Sequence, residues 1–223
     1  MTVDAAVDGA LGGFGEDRAL VVLRGPTGAG KTAVLAALAA RGAQVLDLEA
    51  LAGHRGSAFG GLGLPAQPSH DEFQRLVAAR WRACVADRVV LCEHESRYLG
   101  SVGLPDALEL RIVAAAWLDL VATDAERVAR IVAGYAAITT DELYGAVRRL
   151  RTRLGTRAAR TVEVALRDGR RDDSVRALLP YYDRAYAHQR AELGPPLATI
   201  AAPDDDARAA AVLAALAGHG FVV

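Results

Sequence analysis

Gly25-Pro26-Thr27-Gly28-Ala29-Gly30-Lys31-Thr32 completes a G-x-x-x-x-G-K-T pattern directly after the apolar run Ala19-Leu20-Val21-Val22-Leu23, and no other segment restricts the fold of this chain as much. The pattern requires a strand, a tight turn around an anion and a helix, in that order. Glycines at 25, 28 and 30 let the backbone amides turn inward, and a helix starting near Lys31 adds the positive end of its dipole. Thr27 and Ala29 complete the cradle. Lys31 places a mobile charge on the distal phosphates of a nucleotide or diphosphate, and the Thr32 hydroxyl suits Mg²⁺. Lys31 is also the only lysine in the chain. Arginine fills the other basic positions apart from the histidines, so a lysine kept here suggests that the wide guanidinium fork does not fit the loop.

The order of elements continues the same theme. Strand one covers Ala19–Arg24, a helix runs from Lys31 to Ala40, and Gln44–Leu46 reads as a short second strand ending at Asp47-Leu48-Glu49. The glycine-rich segment Gly53–Gly61 has no periodicity and reads as a loop. Ser69 with Glu72 caps a helix reaching about Cys84, Arg88–Cys92 is a third strand, and Pro105 can open another helix. Trp117–Val121 is a further strand, and the pairs Thr123/Glu126 and Thr139/Glu142 each mark a helix start. Three helical stretches follow without a strand, over roughly 141–154, 158–166 and 173–190; Leu197–Ile200 then returns to the sheet before a closing helix over 204–217. The expected fold is α/β: a phosphate-loop NTPase-like parallel sheet flanked by helices, with a helical C-terminal insertion or lid. Its expected division is a core of residues 1–138 and 195–223 and a basic helical subdomain of residues 139–194.

Composition supports a globular protein. Of 223 residues, 52% are hydrophobic and 24% charged, and the formal net charge is -1, which argues against a disordered chain. Arg, Asp or Glu interrupts every apolar stretch before about 18 residues, so no membrane-spanning helix is expected. The opening Met1-Thr2-Val3-Asp4 does not read as a secretory signal, which makes the cytoplasm the expected location. Two cysteines, Cys84 and Cys92, are too few for a disulfide framework, and Cys92 reads as a small buried hydrophobe. Overall neutrality hides a gradient. From Arg148 to Arg190 there are 12 arginines against 5 acidic side chains, a local excess of 7 positive charges. Such a cluster is either a solvated helical face or a footprint for a polyanion such as RNA. Arg149, Arg153, Arg157 and Arg160 recur at helical spacing and are the candidate contacts for such a polyanion. Tyr181, Tyr182 and Tyr186 could stack on a base or pack into a core.

In phosphate-loop folds the ligand lies at the carboxyl ends of the strands, which draws attention to acids there. Asp47 and Glu49 follow strand two, and Glu93 and Glu95 follow strand three. Val89–Glu93 resembles an apolar Walker B strand with a terminal carboxylate, able to hold Mg²⁺ through water or to orient a nucleophile. Asp47 and Glu93 are therefore candidate bases or metal-water ligands, with Thr32 completing the metal set. Arg55, in the glycine-rich loop, is a candidate phosphate clamp, and His54 beside it a candidate for proton transfer. The histidines show no zinc-binding spacing.

These segments together carry a resemblance. Gly25–Thr32, Val45-Leu46-Asp47-Leu48-Glu49, His54-Arg55-Gly56-Ser57-Ala58-Phe59-Gly60, Gln67-Pro68-Ser69, Phe73, Glu93-His94-Glu95-Ser96, Gly100 and Leu104-Pro105 resemble the phosphate-loop domain of bacterial tRNA 2-selenouridine synthase. Arg153-Leu154-Gly155 and Tyr181–Tyr186 are similar to its C-terminal part, so the likeness covers about residues 19–190. It implies a two-step change of wobble 2-thiouridine in tRNA. Sulfur is first alkylated from geranyl diphosphate, and selenophosphate then supplies selenium as the geranyl thiolate leaves. It further implies that the loop neutralises the departing diphosphate.

Two departures accompany the resemblance. The family's longer form begins with a rhodanese-like domain whose cysteine serves the selenium step; here about 18 residues precede strand one, and neither Cys84 nor Cys92 matches that cysteine. The usual E-D-E-S becomes Glu93-His94-Glu95-Ser96. Three outcomes follow from the first: a separate rhodanese-like partner, a reaction ending at geranylated tRNA, or a different substrate. Two other classes compete with the transferase. One is an ATP-dependent small-molecule kinase with Arg148 and Arg151 over the transferred phosphoryl group. The other is a non-catalytic nucleotide- or tRNA-binding module.

Overall fold

The central strand β1 (Leu20–Arg24) is buried along its whole length, so both of its faces must be covered. The computed structural model describes residue 14, residues 18–93 and residues 96–223. Parallel strands lie on each side of β1. β3 (Val90–Glu93) pairs Leu20 with Val90, and β6 (Ala116–Leu120) pairs Val21 with Ala116. The sheet order is β2-β3-β1-β6-β7, with β2 (Gln44–Leu46) and β7 (Thr199–Ile200) at the edges. Period-two alternation divides the strand side chains between two cores. Leu20, Val22, Val90, Cys92 and Trp117 join one, against α3 (His70–Arg82) and α4 (Asp106–Ala114). Val21, Leu23, Leu91, Leu118 and Leu120 join the other, against α1 (Lys31–Ala40) and α9 (Asp205–Gly218). The α/β class expected from the sequence is the class observed.

Local chemistry sets the helix limits. α1 and β2 have the limits read from the sequence, and both Thr123/Glu126 and Thr139/Glu142 form reciprocal capping boxes, at α5 (Asp124–Gly134) and α6 (Thr140–Leu154). Two features depart from expectation. Asp47-Leu48-Glu49 does not extend a strand: the Asp47 carboxylate accepts from the Ala50 N–H at 2.8 Å and caps the short helix α2 (Leu48–Ala52), which Gly53 ends at φ 60°. An antiparallel hairpin also appears, β4 (Tyr98–Leu99) with β5 (Val102–Gly103), turning at Gly100 and Ser101.

Between α5 and β7 the chain inserts α6, α7 (Thr156–Arg167) and α8 (Arg171–Ala191). On α6 the buried Leu143, Ala146, Val147, Leu150 and Leu154 follow a 3.6-residue period, and they meet Ala159, Val162 and Leu166 of α7 in a separate apolar cluster. α8 returns to the core through polar contacts. The Tyr186 hydroxyl donates to Asp119 Oδ1 at 2.7 Å, and Arg190 pairs with Asp119 Oδ2 at 2.8 Å. Arg127 on α5 donates through Nε to the Thr27 carbonyl at 2.8 Å and through its terminal nitrogens to Asp124 and Asp183. One buried guanidinium therefore joins the phosphate loop, α5 and α8. Converting Asp183 to Asn should lower stability by about 1–3 kcal/mol, because a charge-assisted bond is lost while Arg127 stays in the interior. Urea denaturation of the two proteins measures this.

Candidate functional site

The phosphate loop occupies residues 25–32, at the carboxyl end of β1. Unlike α2, α3, α5, α6 and α9, helix α1 begins with no side-chain cap, and its first turn has no acidic residue. No protein carboxylate meets its first amides, which leaves them able to receive an anion. Gly30 holds φ 97° at the N-cap, and a Cβ there would lie 2.9 Å from Arg130 Cζ; a Cβ at Gly28 would lie 2.9 Å from Ile131 Cδ1. Glycine is thus required both for the left-handed backbone and for the close approach of α5. Lys31 is buried, and its Nζ donates to the Gly25 carbonyl at 2.8 Å, which holds the ammonium over the loop.

A relay of carboxylates stands beside the loop. The Thr32 hydroxyl donates to Glu49 Oε2 at 3.0 Å, and the Glu49 N–H donates to Glu93 Oε1 at 3.0 Å. Glu93 is 2% exposed, and its Oε2 has no hydrogen-bond partner. Burial pushes the Glu93 carboxyl up to about 8, the nearby Asp47 charge adds to the rise, and the Glu49 N–H partly offsets it. At neutral pH Glu93 is therefore mostly protonated.

A cavity of about 330 Å³ opens from the loop into the helical insertion. Thr27, Gly28, Gly30, Lys31 and Thr32 form one end, joined by Glu49, Arg55 and Ser57. Its remaining wall is mainly apolar, drawn chiefly from α5, α6, α7 and α8 with Phe59, and Arg130, Arg171 and Ser174 are set among those side chains. Arg55 donates to the Leu62 carbonyl at 3.0 Å and stacks over the Tyr135 ring at 5.2 Å, while Phe59 meets Tyr135 edge-on. Burial raises the Tyr135 phenol, moderated by Ser57 and Arg55.

The residues singled out in the sequence divide by position. Arg55 lines the cavity with the loop; Asp47 and Glu93 lie behind Glu49, which reaches Thr32 in their place. His54 packs against Gly60 and Gly61, outside the cavity lining, and burial lowers its basicity. Glu95 and His94 lie outside the described residues. Arg149, Arg153, Arg157 and Arg160 are exposed on α6 and α7 and form no ion pair among the described residues. Arg148 and Arg151 are likewise exposed and do not line the phosphate cavity, so they do not cover the loop as a kinase lid would. The tyrosines turn inward: Tyr182 lines the cavity, Tyr181 packs edge-on against it at 5.0 Å, and Tyr186 binds Asp119. That placement corrects a base-stacking role for this cluster. Both cysteines are buried, and burial raises both thiols, so neither is poised as a nucleophile.

Arg130 is the group the sequence did not reveal. Its terminal nitrogens each donate to Asp205 at 2.8 Å, its guanidinium lies against Gly30, and its Nε is buried without a partner. No local motif marks it, because α5 meets the loop only through the tertiary fold.

A parallel sheet carrying an uncapped helix after a glycine-rich turn defines a phosphate-loop α/β protein. The chain belongs, more narrowly, to the family described as the tRNA 2-selenouridine synthase AAA domain, whose model matches residues 18–200. The tRNA 2-selenouridine synthase of Nitrosomonas europaea is 42% identical over 111 residues, covering 48% of this chain and 28% of that protein. The tRNA 2-selenouridine synthase of Azotobacter vinelandii is 37% identical over 207 residues, covering 77% and 54% respectively. This chain thus spans about half, or less, of these curated relatives. Among solved structures, shikimate kinase from Acinetobacter baumannii in complex with shikimate aligns at 18% identity with a TM-score of 0.42, over 91% of this chain and 94% of that one, too loose a likeness to bear on function. Among the described residues no helix is long and apolar enough to cross a membrane.

The state of Glu93 can be measured through stability. Between the ordinary carboxylate range and about pH 8 the folded chain keeps a proton that the unfolded chain has released, so Glu93 makes stability fall as pH rises through that window. Glu93→Gln copies the protonated form without titrating. In buffer containing EDTA, its stability relative to wild type should rise by a few kcal/mol between pH 5 and pH 8 and level off above that. Denaturant titrations across this range check it; a difference independent of pH would place the carboxylate in water.

Proposed function

We propose that this chain binds an allylic diphosphate, geranyl diphosphate in the first instance, and transfers its hydrocarbon to the sulfur of 2-thiouridine in tRNA. The observation that carries this reading is the continuity of the cavity: a phosphate loop at one end and an apolar wall beyond it. A nucleotide would place a polar base and ribose against that wall, whereas a prenyl diphosphate matches both ends. Family membership supports tRNA modification as the setting.

In the proposed step the thiouridine sulfur attacks C1 of the geranyl group. The C–S bond forms as the C1–O bond breaks, the bonding pair leaves with diphosphate, and the proton on N3 of the thiouridine is released to water. The loop amides, Lys31 and Arg55 stabilise the leaving charge, and the wall formed by Tyr135 and its apolar neighbours keeps water from C1. Mg²⁺ fits the same end. Thr32 and Glu49 line that end and offer oxygen donors of the kind this ion prefers, with Glu93 behind Glu49 able to orient it, and the ion needs only one or two carboxylates beside phosphate oxygens. Bound there, it would supply further positive charge to the diphosphate. In this reading Asp47 holds α2 so that Glu49 reaches Thr32, and His54 packs the glycine-rich loop that carries Arg55. Selenophosphate would use the same phosphate loop in a second step. A rhodanese-like protein would supply the reactive thiol, since Cys84 and Cys92 are both buried.

The substrate RNA is assigned to the outer faces of α6 and α7, where Arg148, Arg149, Arg151, Arg153, Arg157, Arg160 and Arg167 are all exposed. Incubating the protein with tRNA containing 2-thiouridine and geranyl diphosphate, followed by mass spectrometry of the nucleosides, should yield the S-geranyl product without ATP. ATP consumption with a small acceptor and no modified nucleoside would establish the kinase reading instead. Lys31→Ala should weaken binding of geranyl diphosphate about 10- to 100-fold in calorimetric titration, through loss of one charge-assisted contact. Changing Arg149, Arg153 and Arg160 together to Gln should reduce the dependence of log affinity for tRNA on log salt by about 2 to 3, in a titration series from low to physiological salt.

A further inference from the structure

We infer that Arg130 is a second cation of the phosphate site: laid over Gly30 and held by Asp205, it binds the diphosphate together with Lys31. This inference rests on the diphosphate reading of the loop and adds to it two residues, from α5 and α9, that no local motif marks.

Position comes first. Gly30 is the N-cap of α1, the residue from which the uncapped amides run. A Cβ on it would stand 2.9 Å from Arg130 Cζ and 3.1 Å from both Nε and Nη2; the carbon is nearer than the two nitrogens, so the flat face of the guanidinium lies on the glycine. A cation in that place borders the anion cradle itself, and Arg130 lines the cavity with Gly28, Gly30, Lys31 and Thr32. Arg127, one turn earlier on the same helix, has a side chain only 5% exposed and spends its nitrogens on Thr27, Asp124 and Asp183. The Arg130 side chain keeps 34% of its surface exposed.

Donor capacity and charge agree with that position. Of the N–H groups of the guanidinium, Asp205 accepts one from each terminal nitrogen at 2.8 Å, and the others, Nε among them, have no protein acceptor among the described residues. Phosphate oxygens accept from such a fork. Nor does Asp205 cancel the charge of Arg130, because its own is divided. It stands in the first turn of α9, where the helix dipole favours an anion, and its Oδ1 also lies 3.5 Å from Arg208 Nη1. Arg208 is 2% exposed and pairs in turn with Glu126 at 2.9 Å. Asp205 is therefore fixed from behind, and with Arg130 between it and Gly30 the positive end of the pair faces the loop.

Calorimetric titration of inorganic and geranyl diphosphates into the whole chain, with Mg²⁺ in the buffer, tests the assignment. Arg130→Met, which keeps much of the side-chain length and removes the charge, should weaken both ligands about 10- to 100-fold through loss of a charge-assisted contact. Asp205→Asn should tighten both about two- to fivefold, because an opposing charge is gone while the Asn carbonyl still accepts from Arg130. Each variant removes the same ion pair, so a bracket that served packing alone would shift affinity in the same direction in both. A cation on the ligand gives opposite signs. If Arg130→Met does not fold, Asp205→Asn carries the test, and weaker binding in it would overturn the assignment. Affinity unchanged in Arg130→Met, alongside a loss in Lys31→Ala, would also overturn it while leaving the diphosphate reading intact. Wild-type protein that binds neither ligand would overturn both.

Discussion

Arg127 is the joint on which the working half of the molecule depends. Its guanidinium is almost wholly enclosed, and its three nitrogens reach three parts of the chain: Nε the Thr27 carbonyl of the phosphate loop, both terminal nitrogens Asp183 of α8, and one of these also Asp124 at the start of its own helix. A charge in such a place is tolerated only when its hydrogen bonds are satisfied. The loop therefore cannot take its shape independently of the helical insertion, and the insertion cannot leave without stranding a buried cation. Tyr186 and Arg190, both on Asp119, repeat the connection one and two turns further along α8. The aromatic and acidic residues of Tyr181–Tyr186 make best sense as the fastening of α8.

Charge and apolar surface are separated by the same helices. α6 and α7 turn Leu and Val toward the cavity, Ala into the packed cluster, and arginines outward toward solvent. Under the proposed function, a helix with these two faces would serve two neighbours at once, a hydrocarbon inside and a polyanion outside. Arg170 illustrates the contrast. It is neutralised by Asp168 and Asp173, whereas the arginines from 148 to 160 have no carboxylate partner among the described residues.

The sequence was most legible where a local interaction decides the structure. The phosphate loop, the helix that follows it and the threonine–glutamate capping boxes all depend on residues within a turn of one another, and each could be read directly. Reading became harder where a single turn redirects side chains. Asp47 and Glu49 both follow β2, but the cap at Asp47 starts a helix and leaves Glu49, not Asp47, facing Thr32. It failed for groups brought in by tertiary packing. Arg130 on α5 and Tyr135 just after it lie far along the chain, and only the docking of α5 onto Gly28 and Gly30 places them at the site. The tyrosines of α8 pose the converse problem, since their spacing alone does not distinguish a stacking platform from an anchor.

Lys31 has a consequence outside binding. As the sole lysine, buried against its own loop, it makes the phosphate site the only place in the described chain that carries a primary side-chain amine. Isotopic labelling of lysine alone would give a single side-chain ammonium resonance, and an amine-selective reagent would have one side-chain target. The arginine-rich remainder of the chain is silent to both, so occupancy of the loop can be followed in the unmodified protein without an introduced probe.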